Sequence, residues 1–167
     1  MTVQVDVLRD CTEETIPNDA AIKEWIVSAV AAASNITRAE VAVRIVDAAD
    51  SRRLNRDYRN RDKPTNVLSF PAGTVAVPAG TVAGMPATEP LPLGDIVVCA
   101  EVVAAEALQY DVPVADRWGH MLVHGTLHLL GFDHIEKDDA AAMELLETRI
   151  LTARGVTDPY GEQVQNC

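Results

Sequence analysis

The apolar positions of this chain change period several times, and each change marks an element. Over 3–8 apolar and polar residues alternate, as in a half-buried strand. Ile22, Trp25, Ile26, Ala29 and Val30 then recur at helical spacing and predict a helix over 20–34, with Asn18 and Asp19 in front as its capping chemistry. Alternation returns over 41–46, a second strand. A short helix opens at Asp50 and runs to Arg59, with Leu54 and Tyr58 inward and the arginines outward. The turn Asp62-Lys63-Pro64-Thr65 leads to a third strand over 67–70, closed by Pro71.

The stretch 72–93 is rich in Ala, Gly, Thr and Pro, and five of the nine prolines fall between Pro71 and Pro92. It is too irregular for a helix, although 74–77 has the pattern of an edge strand. A loop this long in a compact domain usually carries function. A fourth strand follows over 94–99, then a helix over 100–110. The helix predicted over 114–130 is apolar nearly all round (Trp118, Met121, Leu122, Val123, Leu127, Leu129 and Leu130), so it is expected to be buried. A last amphipathic helix spans 136–153, with Met143, Leu146 and Ile150 inward. There are no internal repeats and no linker. The expected fold is α+β, a single domain over 1–167, with a small mixed sheet of about four strands packed with helices around a central metal-binding helix.

Length and charge narrow the classes. At 167 residues the chain can bury a proper core. No apolar run is long enough to span a bilayer, and the first residues lack a basic start or an apolar signal core. Cys11, Cys99 and Cys167 are scattered, as free thiols in a reducing compartment would be, and the expected location is cytoplasmic. The net charge of −11 argues against non-specific nucleic-acid binding. Six of the 14 basic residues nevertheless lie between Arg52 and Lys63 (Arg52, Arg53, Arg56, Arg59, Arg61 and Lys63), against the acids Asp57 and Asp62. Such a cluster is most often a solvated helix face. It is also compatible with one focused polyanion contact, for which Arg56, Arg61 and Lys63 are candidates.

The chemistry concentrates in His-Gly-Thr-Leu-His-Leu-Leu-Gly-Phe-Asp-His, residues 124–134. His124 and His128 are four apart, so on a helix they stack on one face within reach of a single ion. Gly131 is what a helix needs to stop in a left-handed turn, after which the chain can bring His134 back as a third ligand. Three imidazoles with an open fourth position describe a catalytic zinc site better than a structural one. His120, one turn before His124, is a candidate partner of the ligands, a substrate contact or a buried hydrogen-bonding residue. Asp133 is a candidate for orienting a ligand or the turn.

This spacing is that of the metzincin peptidases with one residue missing. Their first histidine is followed by the glutamate that serves as general base, whereas here Gly125 follows it. Two accounts of Gly125 stand side by side: close packing against a neighbouring segment, or room for a bulky substrate beside the metal.

Three segments carry a more specific likeness: Leu54 through Pro71, Leu93-Gly94-Asp95-Ile96, and His120 through His134, with Asp158-Pro159-Tyr160 in the tail. In these the sequence resembles the YbeY family of bacterial single-strand endoribonucleases and ribosomal RNA maturation factors. The resemblance implies zinc on His124, His128 and His134, and Arg59 as a functionally critical arginine near the metal. It further implies single-stranded RNA as substrate, the small ribosomal subunit as partner, processing of the 3′ end of 16S ribosomal RNA, and ribosome quality control. The stretch 72–93 looks longer than the family needs.

An ion held by three neutral imidazoles keeps its positive charge and can bring the pKa of bound water to about 7. Arg59 offers a planar fork to the charge that grows on a phosphoryl group. Water or the RNA's own 2′-hydroxyl could be the attacking group. Two other classes stay open at this point: a ribosome assembly factor with a mainly structural metal, and a metallopeptidase lacking the usual base. Three histidines also accept nickel, cobalt or iron.

Overall fold

A computed structural model describes residues 1–72, 89–132 and 137–160. The strands are β1 (Thr2–Arg9), β2 (Arg38–Val46), β3 (Val67–Pro71) and β4 (Leu91–Cys99); the helices are α1 (Asp19–Ala33), α2 (Ala48–Arg59), α3 (Ala100–Gln109), α4 (Val114–Leu129) and α5 (Lys137–Ala153). The strands form one mixed sheet in the order β1-β2-β4-β3. β1, β2 and β4 are parallel, and β3 runs antiparallel to β4 at the edge. The α+β expectation holds, as a single four-stranded mixed sheet packed with five helices.

The sheet is covered unequally. Val41, Val43, Ile45, Ile96 and Val98 are buried with Ile22, Ile26 and Val30 of α1 and Trp118 and Leu122 of α4. On the other face Val46, Leu68 and Val97 make a smaller cluster under Leu54 of α2 and Phe70. A third cluster joins Ala29 of α1, Val123 and Leu127 of α4, and Met143, Ile150 and Leu151 of α5. α4 therefore lies between the sheet and two helices, which is why its sequence is apolar nearly all round. Removing its side chains from water is the main stabilising term for this helix.

Element limits differ from the pattern in three places. α2 starts at Ala48, two residues before Asp50, because Asp47 is the N-cap and its carboxylate accepts the Asp50 N–H at 2.9 Å. β2 starts at Arg38, its first residues set off from Val41 by a shift in register. β4 starts at Leu91, inside the stretch expected to be loop. Pro92 and Gly94 hide this strand from propensity. Gly94 has φ +131 and sits opposite Pro71, where a Cβ would meet the Phe70 carbonyl oxygen. The edge strand expected over 74–77 lies outside the described residues.

Candidate metal centre

α4 carries His120, His124 and His128 and ends as the sequence predicts. Gly131 has φ +99; its N–H donates to His128 O at 3.0 Å, and the Phe132 N–H donates to Leu127 O at 3.0 Å. This pair of bonds is a Schellman ending. It turns the Phe132 carbonyl back over the last turn of the helix, where it accepts a hydrogen bond from His128 Nδ1 at 2.9 Å. The residue that stops the helix thus also orients a histidine.

His124 is oriented by a different group. Its Nδ1 lies 2.5 Å from Oε1 of Glu147 on α5, a side chain with no exposed surface. Burial alone would raise this carboxyl, but hydrogen bonds from His120 and His124 outweigh it and hold the pKa at about 2. Glu147 is therefore a carboxylate at neutral pH and can only accept, so His124 Nδ1 donates. The Phe132 carbonyl likewise can only accept, so His128 Nδ1 donates as well.

With both Nδ1 atoms engaged in this way, the two Nε2 atoms face each other 3.1 Å apart, and each offers a lone pair where it carries no proton. Two lone pairs at that distance repel unless a cation lies between them. Tetrahedral zinc with bonds of 2.0–2.1 Å separates its nitrogen ligands by about 3.3 Å. The donor chemistry and the spacing of His124 and His128 fit such an ion. His134, the third expected ligand, and Asp133 lie outside the described residues.

His120 is buried in a polar cluster and does not face the other two rings' shared gap. Its Nδ1 is 3.1 Å from Arg117 Nη1, and its Nε2 is 3.1 Å from Glu147 Oε2. Burial pushes its pKa below the usual value despite the carboxylate, so the ring is neutral. Arg117 in turn donates to Glu106 at 3.0 and 3.2 Å. The Tyr160 hydroxyl donates to Glu147, and burial together with that carboxylate pushes its own pKa up.

Gly125 has a structural explanation. A Cβ there would stand 3.0 Å from Ile96 Cγ2, 3.3 Å from Ser69 Oγ and 3.3 Å from Val67 Cγ2. The residue faces the sheet, so close packing accounts for the glycine, and a side chain at the position of the peptidase glutamate would crowd its neighbours.

Arg59 ends α2 next to β3. Its Nη2 donates to Ser69 O at 2.9 Å, its Nη1 to Tyr58 O at 3.1 Å, and its guanidinium lies over the Phe70 ring at 5.3 Å. The Ser69 hydroxyl donates to Gly125 O at 3.0 Å. Arg59 is thus linked through one residue to the turn of α4 that bears His124. Of its basic neighbours, Arg52 pairs with Asp62, Arg53 with Asp50 and Arg56 with Asp57. Arg59, Arg61 and Lys63 have no carboxylate partner among the described residues.

Pattern analysis alone does not single out Glu147, Arg117 or Tyr160. For Glu147 a signal exists: it falls four residues after Met143 and three before Ile150, on the apolar stripe of α5. A carboxylate on that stripe has to have partners.

Comparison with known proteins identifies the family. Residues 9–155 match the family model described as Endoribonuclease YbeY. The chain belongs to the YbeY family. Among curated relatives named Endoribonuclease YbeY, that of Alkalilimnicola ehrlichii is 51% identical over 146 residues, 87% of this chain and 82% of the relative. That of Halorhodospira halophila is 57% identical over 124 residues, 74% of this chain and 76% of the relative. That of Cellvibrio japonicus is 45% identical over 159 residues, 95% and 84% of the two chains. The solution structure of TM1509 from Thermotoga maritima shares the fold, with a TM-score of 0.57 at 20% identity, covering 99% of this chain and 93% of that one. No helix among the described residues of this YbeY-family chain is long and apolar enough to cross a membrane.

Proposed function

We propose that this protein is a zinc-dependent endoribonuclease that cuts single-stranded RNA. His124, His128 and His134 hold the ion, and Arg59 binds the phosphoryl group being cleaved. The observation that carries the metal assignment is the pair of Nε2 atoms facing each other at 3.1 Å while both Nδ1 atoms are engaged as donors. Membership of the YbeY family supports RNA as the substrate. It also supports, as part of the same reading, a role with the small ribosomal subunit in maturing the 16S 3′ end and in ribosome quality control.

When bound, zinc would supply a Lewis acid for a phosphoryl oxygen and acidify a water toward neutrality. The chain's own residues do the positioning. Phe132 O and Glu147 keep the Nδ1 protons of His128 and His124 in place, which reserves both Nε2 atoms for the ion. Tyr58 O and Ser69 O occupy two of the five N–H donors of Arg59 and leave the others for phosphate oxygens. Neutral carbonyls fix the guanidinium, so its charge is not spent on a carboxylate. Arg61 and Lys63 would contact the RNA backbone beside Arg59, and Arg56 would join them only on leaving Asp57. The crowding at Gly125 counts against a peptidase, which needs a base at that position.

Cleavage of a labelled single-stranded RNA by the wild type and by His128→Ala, purified side by side with metal content measured, tests the reading. Metal and cleavage should disappear together in His128→Ala. Equal cleavage by both would point to a contaminating ribonuclease and remove the assignment. Arg59→Ala should keep its metal and lose turnover, and loss of zinc there would make Arg59 structural. A 2′,3′-cyclic phosphate on the products would identify the RNA's own hydroxyl as the attacking group.

A further inference from the structure

The proton positions around Glu147 can be counted without reference to any ion. A guanidinium has donors only, so Arg117 Nη1 can bond to His120 Nδ1 only where that nitrogen carries a lone pair. The proton of the neutral His120 ring then sits on Nε2 and goes to Glu147 Oε2 at 3.1 Å. The Tyr160 hydroxyl donates to the same oxygen. With Oε2 held by two donors, Oε1 is left turned to His124 Nδ1. Arg117 cannot swing away from His120, because Glu106 holds its Nε and Nη2, and Glu106 is held by Asn66 Nδ2 at 3.1 and 3.2 Å. A chain of hydrogen bonds, buried at His120 and part-buried elsewhere, therefore runs from the residue preceding β3, through α3, α4 and α5, to His124.

We propose that Glu147 is the positioning residue of the metal centre. It fixes His124 in the Nδ1–H tautomer, aims His124 Nε2 at the ion, and takes its own orientation from His120 and Tyr160. The inference rests on the metal reading above and names the group that builds it. It also makes the segment after α5 part of the site, because Tyr160 reaches Glu147 only when residues 156–160 pack back, as Val156 does against Leu127 and Leu151. A buried carboxylate with this bond set has a plain alternative role, tying α4 to α5, and the two roles differ in what they do to one ring nitrogen.

The first measurement is the long-range proton–nitrogen NMR spectrum of the histidines in the metal-free wild type. The His124 ring should be protonated at Nδ1 and bare at Nε2; the opposite tautomer overturns the proposal. The second is zinc affinity by competition with a chromogenic chelator, in wild type, Glu147→Gln and Tyr160→Phe. A glutamine amide can offer an N–H to Nδ1 and so place the His124 proton on the wrong nitrogen. Loss of a carboxylate behind a metal-bound histidine typically weakens binding 10–100-fold, and that range is expected for Glu147→Gln. Tyr160→Phe should lose less, in the same direction. A folded Glu147→Gln with wild-type affinity overturns the proposal. Should Glu147→Gln not fold, Tyr160→Phe decides, and wild-type affinity with an unchanged His124 spectrum overturns it. A wild type that takes up no zinc overturns the metal reading and this one with it, whereas equal binding by wild type and Glu147→Gln overturns this one alone.

Discussion

Gly125 shows how much one position can decide. A methyl group there would press on Ile96, Ser69 and Val67 of β4 and β3, of which Ile96 is fully buried and Ser69 is bonded to the Gly125 carbonyl. Gly125→Ala gains helix propensity of about 1 kcal/mol. It also overpacks a close helix–sheet contact, which typically costs about 1–3 kcal/mol. The second effect should win, so thermal unfolding should show Gly125→Ala less stable than wild type. Gly125→Glu, which would restore the peptidase pattern, should fail to fold and so show no peptidase activity. The same residue illustrates what a sequence can and cannot convey. His124 and His128 are legible because their spacing matches helical geometry. The reason for Gly125 is not, because it depends on Ile96 and Ser69, which are distant in the chain and neighbours only in the fold. Glu147 stands out only as a carboxylate on an apolar stripe, and its role is hidden for the same reason, since its partners His120 and His124 come from another helix.

At the level of elements, α4 was the clearest and its ending the most informative. Gly131 announces the stop, and the consequence for His128 follows from the Schellman geometry that places Phe132 O. Replacing Gly131 by alanine forces a side chain into the left-handed region, at a cost of about 1–2 kcal/mol. Nothing lies within 4 Å of a Cβ there, so strain and not a clash would be responsible. Gly131→Ala should therefore fold with a modest loss of thermal stability. If the turn relaxes, His128 Nδ1 loses its acceptor, and zinc affinity measured by chelator competition should fall as well. An unchanged affinity would mean that the turn holds without glycine. β4 was less legible, since Pro92 and Gly94 break the pattern of a strand that nonetheless pairs with β2 from Leu91 onward. Pairing with β2 and the close approach of β3 decide that strand, and neither is visible in local sequence.

Across the whole molecule, an ion that binds only the folded state adds stability by mass action. This amounts to about 4 kcal/mol at a free concentration one thousand times its Kd. Chelation should lower the unfolding temperature of the wild type, and His128→Ala should be insensitive to both zinc and chelator. The net charge of −11 bears on the substrate instead. It opposes diffuse attraction of RNA, so binding must come through a few focused cations. Arg52, Arg53 and Arg56 are already paired with carboxylates on the same surface, which leaves Arg59, Arg61 and Lys63 as the charges ready for phosphate. For single strands the logarithm of affinity falls with the logarithm of salt with a slope of about −0.7 per phosphate neutralised. Three contacts give a slope of about −2, and each alanine substitution among these three should make it shallower by about 0.7. Arg52→Ala should leave it nearly unchanged, because its guanidinium is held by Asp62 through two bonds of 2.7 and 3.1 Å. Titrating a fluorescent single-stranded RNA with metal-loaded protein at several salt concentrations measures these slopes. A wild-type slope near −4 would mean that the paired arginines are recruited on binding, and would move the RNA path from the Arg59 end of α2 along its whole exposed face.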